Sequence, residues 1–287
     1  MAEALLTLIE RRKPSSVDAY DRAFREVAQE LMLLGLWRAK FFEHAAFYGG
    51  TALRLLHGLD RFSEGLDFSL LKADPDFRFD AYFDAIRREL EAFGLDADFQ
   101  RREKESVIES AFMKMNTKKA MISIGVPDRI TATVPFNRLV KVKFEADTDP
   151  PPGFLTESKL LLEPSPFGVK VYSPDCLFAG KFHALLARSW QGRVKGRDWF
   201  DLVFFVRRDI PVHLPYLRSR LVVSGNSPVD ALSGEDARGM LRGRIESLDV
   251  AMAKADVRTF IPDPSSLDLW SREFFLELAA KIRFREA

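Results

Sequence analysis

The sequence predicts an α+β protein, with strands and helices alternating over residues 1–150 and helices dominating residues 151–287. Three observations carry this. Apolar residues recur at three and four through residues 17–40, which is helical spacing. Residues 41–48 and 139–144 are short β-type runs instead. Pro150, Pro151, Pro152 and Gly153 break the chain, and long helical patterns follow them.

Element by element, Ser16 is placed to cap a helix whose apolar members are Val17, Tyr20, Phe24, Val27, Leu31 and Leu34. A strand over 41–48 ends at Gly49 and Gly50, and a short helix over 51–57 follows. A second strand is expected over 61–71, carrying Phe62, Leu66, Phe68 and Leu70. Residues 80–93 form a helix closed by Gly94. Residues 97–144 alternate in places and predict two or three further strands. Helices are then expected over 175–188, 198–208, 238–257 and 267–283, with a loop over 224–234.

Composition narrows the function. Hydrophobic residues at 47% and charged residues at 30% exclude a disordered chain. Lys and Arg number 43 against 42 Asp and Glu, which excludes a uniformly basic nucleic-acid coat. Cys176 is the one cysteine, so no internal disulfide framework or Cys-rich zinc site is possible. The histidines, at 44, 57, 183 and 213, lack metal-ligand spacing. No run approaches the roughly 20 apolar residues that span a bilayer. The first apolar stretch precedes Arg11, Arg12 and Lys13, the reverse of a signal peptide, so the expectation is a cytoplasmic protein with no membrane association.

The strongest local signal is a strand, then Gly49-Gly50-Thr51, a short helix and Asp67 on the next strand. Glycines at a strand-to-helix junction let backbone N–H groups approach a phosphate, and the helix N-terminus favours an anion. A carboxylate beside them can hold a divalent metal. The same residues also fit a tight turn and a solvated carboxylate.

Phe47-Tyr48-Gly49-Gly50-Thr51-Ala52-Leu53-Arg54, followed by Arg61-Phe62-Ser63-Glu64-Gly65-Leu66-Asp67-Phe68, resembles the AbiEii/AbiGii toxin family. Those proteins are nucleotidyltransferases of the DNA polymerase β superfamily. The helix around Lys181 and the segment Gly196-Arg197-Asp198-Trp199-Phe200-Asp201-Leu202 match later family features. The resemblance spans roughly residues 40–210. It implies a polymerase-β-like core with a mixed sheet and a helical domain that completes the active-site cleft.

It also implies residue roles. Gly49, Gly50, Thr51, Arg61, Ser63, Lys181, Arg188 and Arg197 would bind the nucleotide. Asp67, position 65, Lys181 and Asp198 would carry catalysis. Magnesium would sit on Asp67 and on an acid of a neighbouring strand. Glu145 is the choice there, on the face opposite Val140, Val142 and Phe144, with Asp147 in reserve. Asp201 is expected to support structure, and Asp198 fits a helix cap as well as a site role. Phosphorylation of Ser63 would set negative charge against the nucleotide phosphate.

One departure stands out. The family pattern is Asp-x-Asp, and here Gly65 occupies the first position. A two-ion site needs both carboxylates to activate the attacking hydroxyl and neutralise pyrophosphate. Transfer by this chain is therefore expected to be impaired.

Charge is segmental. Residues 101–143 hold ten Lys and Arg against four Asp and Glu, and residues 181–220 hold nine against three. Facing segments of that kind would make a basic trough for RNA backbone. The expected function is a toxin that transfers a nucleoside monophosphate from an NTP to an RNA 3′ end, tRNA foremost, and so blocks translation. A cognate antitoxin is the expected partner. The alternatives are a catalytically silent nucleotide- or RNA-binding protein and nucleotidyl transfer to a small molecule.

Overall fold

The structure is a computed structural model that describes residues 2–102, 106–187, 194–225 and 232–286. Its contacts divide the chain into two compact units. The first comprises residues 1–52, 64–150 and 158–171, and the second comprises 53–63, 151–157 and 172–287. The proline-rich break at 150 is one seam between them. Two segments cross it, because 53–63 belongs with the second unit and 158–171 with the first.

In the first unit, α1 (Ala2–Glu10) and α2 (Val17–Arg38) are followed by β1 (Ala45–Tyr48), α3 (Gly49–His57), β2 (Gly65–Leu70) and α4 (Asp80–Ala92). Strands β3 (Asp98–Arg102) and β4 (Ile108–Asn116), short helices α5 (Thr117–Ser123) and α6 (Asp128–Thr131), and β5 (Leu139–Asp147) come next. Strands β6 (Thr156–Leu161) and β7 (Phe167–Tyr172) complete a seven-stranded mixed sheet in the order β3-β4-β5-β2-β1-β7-β6. The last two strands lie beyond the proline break, where helices were expected. Their alternation is short, and β6 is a half-exposed edge strand whose burial is tertiary. The expected strand over 41–48 opens instead with a 3-10 turn at Phe41–Glu43, and residues 61–64 lie outside β2.

Ser16 caps α2 as its sequence position predicts, accepting a bond from the Ala19 N–H at 3.2 Å. Period-2 alternation then gives the sheet two distinct faces. Leu66, Phe68, Val142, Phe144 and Ala146 are buried on one face. Phe79 meets Phe144 edge-on at 4.7 Å, and Phe41 meets Phe68 at 4.9 Å, so these four phenylalanines are core packing. Asp67, Lys143, Glu145 and Asp147 alternate with them on the other, half-exposed face.

Helix α1 is anchored through Arg12, whose guanidinium takes both oxygens of buried Glu30 at 2.7 and 2.8 Å. Burial pushes the Glu30 carboxyl up to about 7, against the pull of Arg12 and with added repulsion from Glu26 and Glu163. The folded chain therefore holds a proton that the unfolded chain loses above its ordinary value of 4.5. Stability from this group is greatest below that value and falls as pH rises toward 7, by up to about 3 kcal/mol. Urea titrations of wild type and Glu30→Gln at pH 5 and pH 8 test it. The difference should move in favour of Gln at the higher pH, and a pH-independent difference contradicts it.

The second unit contains α7 (Pro174–Ala187), α8 (Gly196–Arg207), α9 (Leu214–Val223), α10 (Gly234–Glu246), α11 (Val250–Arg258) and α12 (Arg272–Lys281). Short strands β8 (Val212–His213) and β9 (Phe284–Arg285) pair in parallel. The helix expected over 238–257 is two helices, because the Asp249 side chain caps a new start by accepting from the Met252 N–H at 2.9 Å. Gly196 opens α8 where a Cβ would collide with the Ala253 carbonyl of α11. Its glycine is thus a helix-packing requirement. Among the described residues, no helix is long and apolar enough to cross a membrane.

Candidate active site

On the polar face of the sheet, register lines up one row of side chains. Ser110 of β4 is opposite Glu145 of β5, Glu145 is opposite Asp67 of β2, and Asp67 is opposite Tyr48 of β1. Hydrogen-bonded strands run about 5 Å apart, so the Asp67 and Glu145 carboxylates rise side by side. One row along, Gly65 is opposite Lys143. The two carboxylates chosen from sequence are therefore neighbours. Asp147 falls a row further on, opposite Ser69, and accepts the Asp149 N–H at 3.2 Å to close a turn.

Gly49 is bound to this row by geometry. Its φ is +85°, in the left-handed region, and a Cβ there would collide with Asp67 Oδ2. Only glycine permits the start of α3 to lie against that carboxylate. Gly50 follows it into the first turn of α3. Thr51 is fully buried and donates its hydroxyl to the Gly65 carbonyl, so it ties α3 to β2 and does not face a ligand.

The carboxylate of Glu145 is already engaged. Ser110 Oγ donates to its Oε1 at 2.8 Å, and Lys143 Nζ lies 2.7 Å from the same oxygen. Neither Ser110 nor Lys143 was assigned a role from sequence. Lys143 shares the period-2 face of Glu145, which is a usable signal, whereas Ser110 enters only through strand register.

The second unit holds a separate charged cluster. Arg61 grips Asp201 bidentately, Nε to Oδ1 and Nη2 to Oδ2 both at 2.7 Å, and donates to the Phe62 carbonyl at 3.0 Å. Lys181 Nζ lies 2.8 Å from Asp201 Oδ2 and 3.3 Å from Asp198 Oδ1. Both aspartates are fully buried. Burial alone would raise the Asp201 carboxyl; the Arg61 and Lys181 charges with their hydrogen bonds overcome it and hold the group below its usual range. Arg61, expected at the nucleotide, is 2% exposed and serves instead to fix Asp201. Burial strips water from Arg61, so its guanidinium needs a carboxylate partner. Asp201 has the supporting role expected of it.

Arg197 lies with its guanidinium 4.0 Å over the Phe260 ring and its Nε 4.0 Å from Asp256, a stacked and half-buried setting. Asp198 is the third residue of α8, where its carboxylate meets Lys181. Ser63 is half-buried in the second unit. Arg188 lies outside the described residues, as does part of the basic loop beside it. Several cations of the basic segments are paired locally, including Arg101 with Glu109 and Arg138 with Asp18 and Asp21.

Magnesium takes one or two protein carboxylates together with phosphate oxygens. Asp67 and Glu145 could meet that need for one ion. Position 65 offers no donor, and no group of three or more His, Cys, Asp or Glu among the described residues is placed to hold a metal.

The paired carboxylates thus stand on one face of the sheet of an α+β chain, beside a glycine-opened helix. The structure of JHP933 from Helicobacter pylori shares the fold at a TM-score of 0.52 and 18% identity, covering 91% of this chain and 89% of that one. A second Helicobacter pylori structure, described as a candidate nucleotidyltransferase, has a TM-score of 0.48 and 19% identity, covering 88% of this chain and 91% of that one. No curated protein matches. The family model described as nucleotidyl transferase AbiEii toxin, Type IV TA system, matches residues 31–277, and the chain belongs to that family.

Proposed function

We propose that this chain is the toxin of a toxin–antitoxin or abortive-infection pair and that it transfers a nucleoside monophosphate from an NTP to an RNA 3′ end. The observation that carries this is the Asp67–Glu145 pair, in register on adjacent strands with Gly49 closed against Asp67. tRNA in the cytoplasm is the leading acceptor, and a cognate antitoxin restrains the protein.

Asp67 and Glu145 would hold magnesium, which supplies charge neutralisation at the phosphates. The first turn of α3, from Gly49 and Gly50, presents backbone N–H groups to phosphate oxygens. In the reaction the RNA 3′ oxygen bonds to the α-phosphorus and the bond to pyrophosphate breaks. The hydroxyl proton passes to an Asp67 oxygen.

Gly65 favours a second reading, in which the chain binds nucleotide without transferring it, since one carboxylate of the pair that activates the hydroxyl is missing. Incubation with tRNA, magnesium and each α-labelled NTP decides between them. Label on tRNA from wild type, reduced at least about 100-fold in Asp67→Asn, supports transfer. Nucleotide bound with no label moved supports the silent reading. Label moved to small acceptors and never to RNA points to small-molecule modification.

A further inference from the structure

We infer that the Lys143 ammonium is a built-in cation of this site, standing where a second metal ion would otherwise neutralise the triphosphate. The inference rests on the reading that this face binds a nucleoside triphosphate. Three observations converge on it. Lys143 is directly opposite Gly65, the position at which the family pattern has a carboxylate and this chain has none. Its Nζ lies 2.7 Å from Glu145 Oε1, which Ser110 also engages, so the charge of Glu145 is balanced by a group of this chain. The side chain is 37% exposed, which leaves the ammonium open to a ligand.

The chemistry follows from the donor count. An ammonium has three N–H groups, and Glu145 takes one. The remaining two suit phosphate oxygens, which lysine binds as a compact point charge. A carboxylate added at position 65 would turn this arrangement against itself. A Cβ there would lie 2.9 Å from the Lys143 carbonyl oxygen and 3.9 Å from its Cβ. The strands would have to part slightly, and the new acid would neutralise the ammonium. Glycine at 65 and lysine at 143 are therefore complementary, and the cation that two aspartates would recruit from solution is covalently attached.

Such a site keeps a measurable part of its triphosphate affinity when divalent metal is removed, because the ion on Asp67 and Glu145 is lost and the Lys143 charge stays. Calorimetric titration of the full chain with inorganic tripolyphosphate in EDTA tests this. Wild type should bind. Lys143→Met should weaken binding by about tenfold or more, whereas Lys143→Arg, which keeps the charge, should stay within about threefold of wild type. Gly65→Asp should weaken metal-free binding as well. Melting curves of each variant confirm that the fold is kept. Equal affinity for wild type and Lys143→Met overturns the assignment, and so does the absence of any wild-type binding in EDTA. A chain that binds tripolyphosphate through Lys143 yet labels no RNA would sink the transfer reading and leave this one standing.

Discussion

Replacing Asp201 with Asn should destabilise the protein by about 3–5 kcal/mol, the range for breaking a buried ion pair from one side. The carboxylate is fully buried and takes two bonds from Arg61 and one from Lys181. An amide of the same shape leaves two cations facing a neutral group. Arg61 cannot lose its proton, and its side chain is 3% exposed, so its charge stays unbalanced out of water. Lys181 keeps Asp198 and suffers less.

Urea unfolding of Asp201→Asn against wild type at neutral pH measures the loss. The double variant Arg61→Met with Asp201→Leu should recover much of it, because an apolar pair of similar volume needs no charge balance. The pH dependence has a definite sign. Asp201 is held below its ordinary value of 3.8, so its stabilisation is present above that value and is lost as pH falls through the depressed one. A loss below about 1 kcal/mol would mean that water relaxes the cluster and that the Arg61–Asp201 pair contributes little to stability.

Gly49→Ala should cut nucleotide transfer by about 100-fold, the scale expected when a reacting group is displaced by about 1 Å. Two penalties combine. A left-handed backbone costs a non-glycine residue about 1–2 kcal/mol. The new methyl group would also collide with Asp67 Oδ2, and relief must come from the carboxylate or from the start of α3. Gly94→Ala provides the control. That residue has φ +78°, and a Cβ there meets nothing within 4 Å. It should pay the backbone penalty in stability and leave transfer intact. If both variants transfer alike, Gly49 is a turn residue and nothing more. The same assay can be read as nucleotide affinity in magnesium, which keeps the comparison informative if transfer is slow.

Part of the candidate site is legible in the sequence. Alternation along 139–147 placed Glu145 and Lys143 on one face, and the spacing of Gly65 and Asp67 placed them on one face of the partner strand. Register was not legible. Whether Asp67 meets Glu145 or Asp147 depends on how two strands 70-odd residues apart in sequence slide past each other, which is fixed by the packing of Phe68 and Phe144 against Phe79 on the opposite face. Arg61 was misread for a related reason. A basic residue beside a nucleotide motif looks available until its depth and its partner at Asp201 are known.

The sequence by itself determined the types of α2, α3, β2, α4 and β5, the α2 cap at Ser16, the glycine-opened helix and the missing carboxylate at position 65, because these are local matters of periodicity, backbone freedom and residue chemistry. The tertiary structure decided the rest. It returned β6 and β7 to the sheet across the proline break, divided the segment around residues 61–67 between two units, and put a lysine opposite the vacant position. Those outcomes depend on pairings between distant segments, and their energies come from burial and charge balance that no short stretch of sequence contains.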